Sequence, residues 1–168
     1  MRLYLIRHGE TALNEKGCYY GKTDAILSAR GIAQAEYLRE LLKEISFDYI
    51  VASPLVRAYN TAQIVMGERK QDIFGDCRLM EQNFGVFEGM TYEEINRKYP
   101  EELKRWNAQF STYRIPEGES FQEVRGRVEA FLKDIPAGRE TKGQSMLIAA
   151  HKGTLGHLLA AMLKLPLE

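Results

Sequence analysis

Three short apolar runs stand out along the chain: Arg2 to Ile6, Tyr49 to Ala52 and Ser145 to Ala150. Each has strand length and is nearly continuous rather than alternating, the pattern of a strand covered on both faces. Asp72 to Asp76 is a weaker strand candidate. Between these runs the apolar period lengthens to that of a helix. Behind Ser28, which reads as an N-cap, Ile32, Ala35, Leu38, Leu42 and Ile45 fall on one helical face. Ser53-Pro54 opens a second helix, with Pro54 suited to its first turn, that runs to about Met66 and ends at Gly67. Thr91-Tyr92-Glu93-Glu94 is a capping-box pattern, and its short helix stops before Pro100. Further helices are predicted over Glu101 to Gln109, Phe121 to Asp134 and Gly153 to Leu163. Gly126, inside the Phe121 helix, costs about 1 kcal/mol against alanine and is expected to mark close packing. Ala12 to Ala25, Ile115 to Ser120 and Pro136 to Gly143 read as loops.

Strands of this kind separated by helices predict an α/β fold, a three-layer α/β/α arrangement around a mainly parallel central sheet. At 168 residues the chain suits one domain spanning 1–168. There is no internal repeat, and Pro136 to Gly143 is too short to link two domains.

Charge and composition narrow the function. The formal net charge is zero, so no general attraction to nucleic acid or to an anionic membrane is expected. The two cysteines, Cys18 and Cys77, have no short spacing and read as unmodified thiols. No apolar stretch approaches the roughly 20 residues of a membrane span, and Arg7 cuts the first apolar run too early for a secretory signal. A cytoplasmic protein is the expectation.

The chemistry sits at the strand exits. The first run leads into Arg7-His8-Gly9-Glu10, the second into Ser53 with Arg57 one turn further, and the third into His151-Lys152-Gly153. Parallel sheets bind ligands beyond the carboxyl ends of their strands, so these residues should meet in one crevice. Two histidines and two arginines suit a phosphoryl dianion. Guanidinium groups offer paired donors and keep their charge, and a neutral imidazole can attack phosphorus. Neighbouring arginines should keep that imidazole neutral, while the second histidine stabilises equatorial oxygens. The leaving alkoxide needs a proton from a carboxylic acid. Glu81, after the third strand candidate, is best placed. Glu10 and the Glu117 to Glu119 loop are the fallbacks. His8 and Glu10 do not form a metal-ligand set, so neither a metal nor another cofactor is expected.

Taken together, these segments resemble the histidine phosphatase superfamily, of phosphoglycerate-mutase-like fold, over nearly the whole chain. Ile6-Arg-His-Gly-Glu-Thr11 matches its signature, Leu27-Ser-Ala-Arg-Gly31 the start of its first helix, and Ser53-Pro-Leu-Val-Arg57 its second arginine. Glu81 with Phe84-Gly85 and Phe87-Glu-Gly89 matches its acid segment, and Gly118-Glu119-Ser120 and His151-Lys-Gly153 complete the series. The resemblance implies His8 as nucleophile and Glu81 as general acid. It also implies a phosphate pocket of Arg7, Asn14, Arg57 and His151, with the backbone around Gly21 lining it. The implied ligand is a small-molecule phosphomonoester.

Softer motifs resemble the short cytoplasmic phosphatases, in particular the α-ribazole phosphatases of cobalamin biosynthesis. These motifs are Tyr20-Gly21, Asn83-Phe-Gly-Val-Phe-Glu-Gly89, and Tyr99-Pro100 leading to Ile115-Pro-Glu-Gly-Glu-Ser120. Phosphoglycerate mutases usually carry a longer arginine- and proline-rich insertion after the acid segment. Here that stretch is short and holds Trp106, Phe110 and Tyr113, either core aromatics or a lid suited to a ring-bearing phosphomonoester. A broad-specificity phosphatase, a phosphoglycerate mutase and a non-catalytic phosphate-binding regulatory protein remain as alternatives. His157 reads as packing or surface. The family normally continues past the last helix into one or two further strands, so a sequence ending at Glu168 is expected either to be cut short or to have a reduced sheet edge.

Overall fold

The computed structural model describes residues 1–136 and 141–166. Part of the loop expected over Pro136 to Gly143 lies outside them, as do the last two residues. The sheet has four parallel strands: β1 (Arg2–Arg7), β2 (Tyr49–Ala52), β3 (Phe74–Gly75) and β4 (Ser145–Ala150), in the order β1-β4-β2-β3. β4 lies between β1 and β2, and all six of its residues are buried. Its apolar run is continuous for that reason: both faces are covered and both neighbouring ladders are filled.

The described residues also form seven α-helices, α1 (Ala12–Glu15), α2 (Ala29–Leu41), α3 (Val56–Met66), α4 (Tyr92–Lys98), α5 (Pro100–Ala108), α6 (Phe121–Asp134) and α7 (Lys152–Met162), and two short 3-10 helices, Cys77–Leu79 and Gly85–Phe87. Strand residues alternate between two cores. Ile6, Ile50, Ala52, Leu147 and Ala149 pack with residues of α2 and α3. Met146, Ile148 and Ala150 pack with Val124, Val128 and Phe131 of α6 and Leu158 of α7. The result is the expected α/β/α sandwich. A third cluster is built by Ile95 of α4 and Leu103 and Trp106 of α5, with Phe87 and Ile115. It is joined to the loop after β1 by the Tyr19–Met90 bridge. Among the described residues no helix is long and apolar enough to cross a membrane.

Register decides where the chemistry goes. Arg7 pairs with Ala150, and Ala52 with Ala149. The strands therefore end nearly level, and the next residues stay on the ladder for one more bond. His8 donates its N–H to Ala150 at 3.0 Å, and Ser53 donates its own to Ala149 at 2.9 Å.

Several local expectations are corrected. The Ala12 to Ala25 loop contains α1, because Thr11 and Asn14 form a reciprocal capping box there. Ile32 is exposed; the buried face of α2 runs through Gly31 and Ala35, one position away, toward Leu38 and Leu42. Pro54 stands ahead of α3 rather than in its first turn. The Ser53 hydroxyl is bound to His151, and Asp24 accepts the Val56 N–H at the start of α3. The third strand shrinks to two residues, matching only the end of β2. A side chain at Gly126 would meet nothing within 4 Å, so it marks no close packing.

Candidate active site

His8 leaves the end of β1 almost buried. Its Nδ1 lies 2.7 Å from the Gly9 carbonyl. A carbonyl only accepts, so Nδ1 carries the proton of the neutral ring, and the Nε2 lone pair is available. Burial, opposed in part by the Gly9 bond and aided by the Arg57 and Arg7 cations, lowers the His8 pKa to about 4. Burial thus outweighs the arginines, which sequence reasoning had made the cause. The Gly9 N–H is held by Thr61 of α3 at 3.0 Å. A Cβ on Gly9 would meet the Gly31 carbonyl oxygen at 2.3 Å, so this turn of the chain passes directly against α2.

His151 follows β4 and is fully buried, its ring centroid 5.1 Å from that of His8. Burial first, then Arg57 and His8, push its pKa well below the usual imidazole range. Ser53 Oγ lies 2.8 Å from its Nε2, and its Nδ1 is buried with no partner among the described residues. If the serine hydroxyl donates, Nδ1 bears the hydrogen of the neutral ring and can donate it to a ligand oxygen.

Arg57, the second residue of α3, is completely buried. Its Nη1 and Nη2 donate to the carbonyls of Thr23 and Gly21 at 3.0 and 2.8 Å, and its guanidinium sits 4.6 Å over the Tyr20 ring. Burial lowers its pKa from an ordinary value so high that it stays charged. Its Nε is buried without a partner. Arg7, exposed at the end of β1, lines a cavity of about 130 Å³ with His8, Glu10, Asn14 and Gln34. Asn14 Oδ1 accepts from the Thr11 N–H and the Tyr20 hydroxyl, which leaves its NH₂ to face a ligand. Gly21 is bound through its N–H to Glu88 and through its carbonyl to Arg57, so its backbone supports the arginine.

Glu81 lies against the start of α7, close enough to Arg57 to act on its charge. Its carboxylate accepts the N–H of Gln82 and of Gly153, both at 3.0 Å. Two residues past His151, the first turn of α7 therefore holds the acid. Of the fallback acids, Glu119 is paired with Arg127 and Glu10 with Arg30 and Ser28, while Glu117 is exposed. Beyond Glu81 opens an apolar cavity of about 680 Å³, walled by Phe84, Trp106, Phe110, Phe121 and His157 among others. Trp106 is thus both a core residue of the third cluster and a wall of this cavity. His157 is packed against Phe121, ring centroids 3.9 Å apart, and is not a surface residue.

The model of the histidine phosphatase superfamily (branch 1) matches residues 3–168. The chain belongs to that superfamily. This histidine phosphatase is 35% identical over 168 residues to the adenosylcobalamin/alpha-ribazole phosphatase of Escherichia coli K12, covering 100% of this chain and 82% of that protein. It is 32% identical over 168 residues to phosphoserine phosphatase 1 of Hydrogenobacter thermophilus, covering 79% of it. The crystal structure of the alpha-ribazole phosphatase from Shigella flexneri superimposes with a TM-score of 0.90 at 37% identity, covering 99% of this chain and 81% of that one. The fold and the phosphatase class follow from these likenesses.

Two residues that brace the candidate site escape sequence reasoning. Arg127 of α6 donates to the carbonyls of Arg78, Met80 and Glu81 at 2.6 to 3.0 Å, clamping the segment that carries the acid. Glu88 gathers the backbone N–H groups of Gly21, Lys22, Thr23 and Phe84. Neither announces itself in the sequence, because each acts on backbone more than 40 residues away. The only hint for Glu88 was its place in the Phe87-Glu-Gly89 motif.

Proposed function

We propose that this phosphatase hydrolyses small phosphomonoesters through a phosphohistidine at His8, and that its substrate carries a ring-bearing alcohol of the α-ribazole 5′-phosphate type. The observation that supports the chemistry best is the fixed His8 tautomer. Its Nδ1–H is committed to Gly9, which leaves the Nε2 lone pair free, and the His151 ring lies 5.1 Å away, centroid to centroid, with the Arg57 cation near enough to help lower the His8 pKa.

In the first step Nε2 of His8 attacks phosphorus as the ester oxygen departs with the bond pair. Arg7, Arg57, Asn14 and the His151 N–H hold the three equatorial oxygens, where charge is spread in the transition state. Glu81, protonated, gives its proton to the departing alkoxide. In the second step Glu81, now a carboxylate, takes a proton from water, and that water attacks the phosphohistidine. Inorganic phosphate and neutral His8 are released.

The substrate reading rests on the cavity beyond Glu81, whose aromatic walls suit a planar or apolar alcohol. It draws support from the alpha-ribazole phosphatase relatives. The test is a panel of phosphomonoesters including α-ribazole 5′-phosphate, phosphoserine, sugar phosphates and phosphoglycerates. Ring-bearing alcohols should give the highest kcat/KM. A preference for phosphoglycerates that depends on bisphosphoglycerate priming would replace this reading with a mutase.

A further inference from the structure

Arg57 is useful to a phosphoryl group only if its guanidinium is aimed, and its aim is set by a loop. The carbonyls of Gly21 and Thr23 receive its two terminal nitrogens at 2.8 and 3.0 Å. Asp24, the nearest carboxylate in the loop, is 4.0 Å away, half-exposed, and bound to the N–H of Val56. Something else must therefore hold the loop's carbonyls in place.

The N–H groups of the same stretch of loop are held by Glu88. Its two carboxylate oxygens accept three successive N–H groups, from Gly21 (2.9 and 3.1 Å), Lys22 (3.0 Å) and Thr23 (3.0 Å). The Phe84 N–H adds a fourth at 2.9 Å. Successive N–H groups turned toward one anion form a concave seat that a carboxylate fills well, and charge-assisted bonds of this kind are the stronger class. With its Lys22 N–H on Glu88, the Gly21–Lys22 peptide turns its Gly21 carbonyl to Arg57, and the Thr23 N–H on Glu88 fixes the residue whose carbonyl takes the second Arg57 bond. The loop also carries Tyr20, whose ring underlies Arg57 and whose hydroxyl binds Asn14.

We infer that Glu88 is a positioning residue of the phosphate pocket, acting through the Gly21 to Thr23 backbone on Arg57. It does not touch the reacting atoms. The inference rests on the reading of Arg57 as a phosphate ligand. A glutamine at 88 would keep the shape but offer one acceptor oxygen where four N–H groups converge, and its own NH₂ would face donors.

The test is a double-mutant cycle. kcat/KM for an alkyl and a nitrophenyl phosphate, and inhibition by vanadate, are measured for the wild type, Glu88→Gln, Arg57→Ala and the double variant. Thermal unfolding is followed for each. Glu88→Gln should lower kcat/KM roughly 10–100-fold, as loss of a supporting shell does elsewhere. The loss should be equal for both esters and accompanied by weaker vanadate inhibition. In the Arg57→Ala background the same change should cost less than about threefold, since residues acting through one another are not additive. An equal loss in both backgrounds, or a folded Glu88→Gln enzyme with wild-type kcat/KM, overturns the inference while leaving the phosphate reading intact. An Arg57→Ala enzyme close to wild type overturns the phosphate reading instead. Glu88→Ala repeats the cycle with all acceptors removed, and it must show a loss at least as large.

Discussion

Glu81 and Gly153 are joined by a 3.0 Å hydrogen bond from the glycine N–H to the carboxylate. The bond depends on the absence of a side chain: a Cβ on Gly153 would lie 2.5 Å from Glu81 Oε1. Gly153→Ala should therefore push the acid out of position without touching His8, Arg57 or His151. Turnover of an alkyl phosphate should fall at least tenfold, with vanadate inhibition nearly unchanged. Wild-type turnover would show that the acid does not need this anchor.

Replacing the acid itself should depend on the leaving group. An alkyl or ribosyl phosphate expels a basic alkoxide that needs protonation, whereas a nitrophenyl phosphate expels a weakly basic phenolate. Glu81→Gln should slow the former by roughly 10²–10⁴, the usual scale of general acid catalysis, and the latter much less. Equal losses would assign Glu81 to positioning alone.

Arg57→Ala should cost more than any surface charge. Removing a buried, hydrogen-bonded partner of an ion costs on the order of 2–5 kcal/mol, against about 0–1 for an exposed pair. The loss should appear in kcat/KM for every phosphomonoester. A fall of less than fivefold would place Arg57 outside the pocket.

The sequence carried the strands and the strand-exit chemistry, because both are local. β1, β2 and β4 are apolar runs, and α6 spans the predicted Phe121 to Asp134 behind its Ser120 capping box. His8, Ser53, Arg57 and His151 lie at strand ends or one turn beyond, where parallel register brings them together. What escaped was set by distant partners. Pro54 does not start α3, because Ser53 is turned to His151. Ile32 lies on a helix with the right period but one position off the buried face. Glu88 accepts from backbone N–H groups and Arg127 donates to backbone carbonyls, and such bonds leave no mark on the identity of the residue whose backbone takes part.

The histidines give the protein a signed pH dependence. The proposed mechanism requires a neutral His8, and burial lowers its pKa to about 4. kcat/KM should rise as pH increases through that region and not through 6.5. An acid limb near 6.5 would mean that His8 is not desolvated as described. Stability should move in the same direction. His157 is buried, with a pKa of about 4 against an unfolded value of 6.5. Its neutral form therefore contributes stability in full above 6.5, and that contribution is lost as pH falls from 6.5 toward 4. The loss is on the order of 2–3 kcal/mol at one pKa unit per 1.36 kcal/mol. His157→Phe should flatten the denaturation midpoint between these pH values. An unchanged slope would contradict it.

The central claim is the covalent intermediate on His8. Enzyme mixed with a phosphomonoester labelled on phosphorus, in the presence of a chelator, is quenched within its first turnovers in alkali and digested. Alkali preserves phosphohistidine and destroys most other labile phosphoryl adducts. The label should be recovered on the peptide containing His8, be released by acid, and be missing from His8→Ala, which should also have lost turnover. Undiminished hydrolysis by His8→Ala, or label recovered on a peptide without His8, would contradict the account.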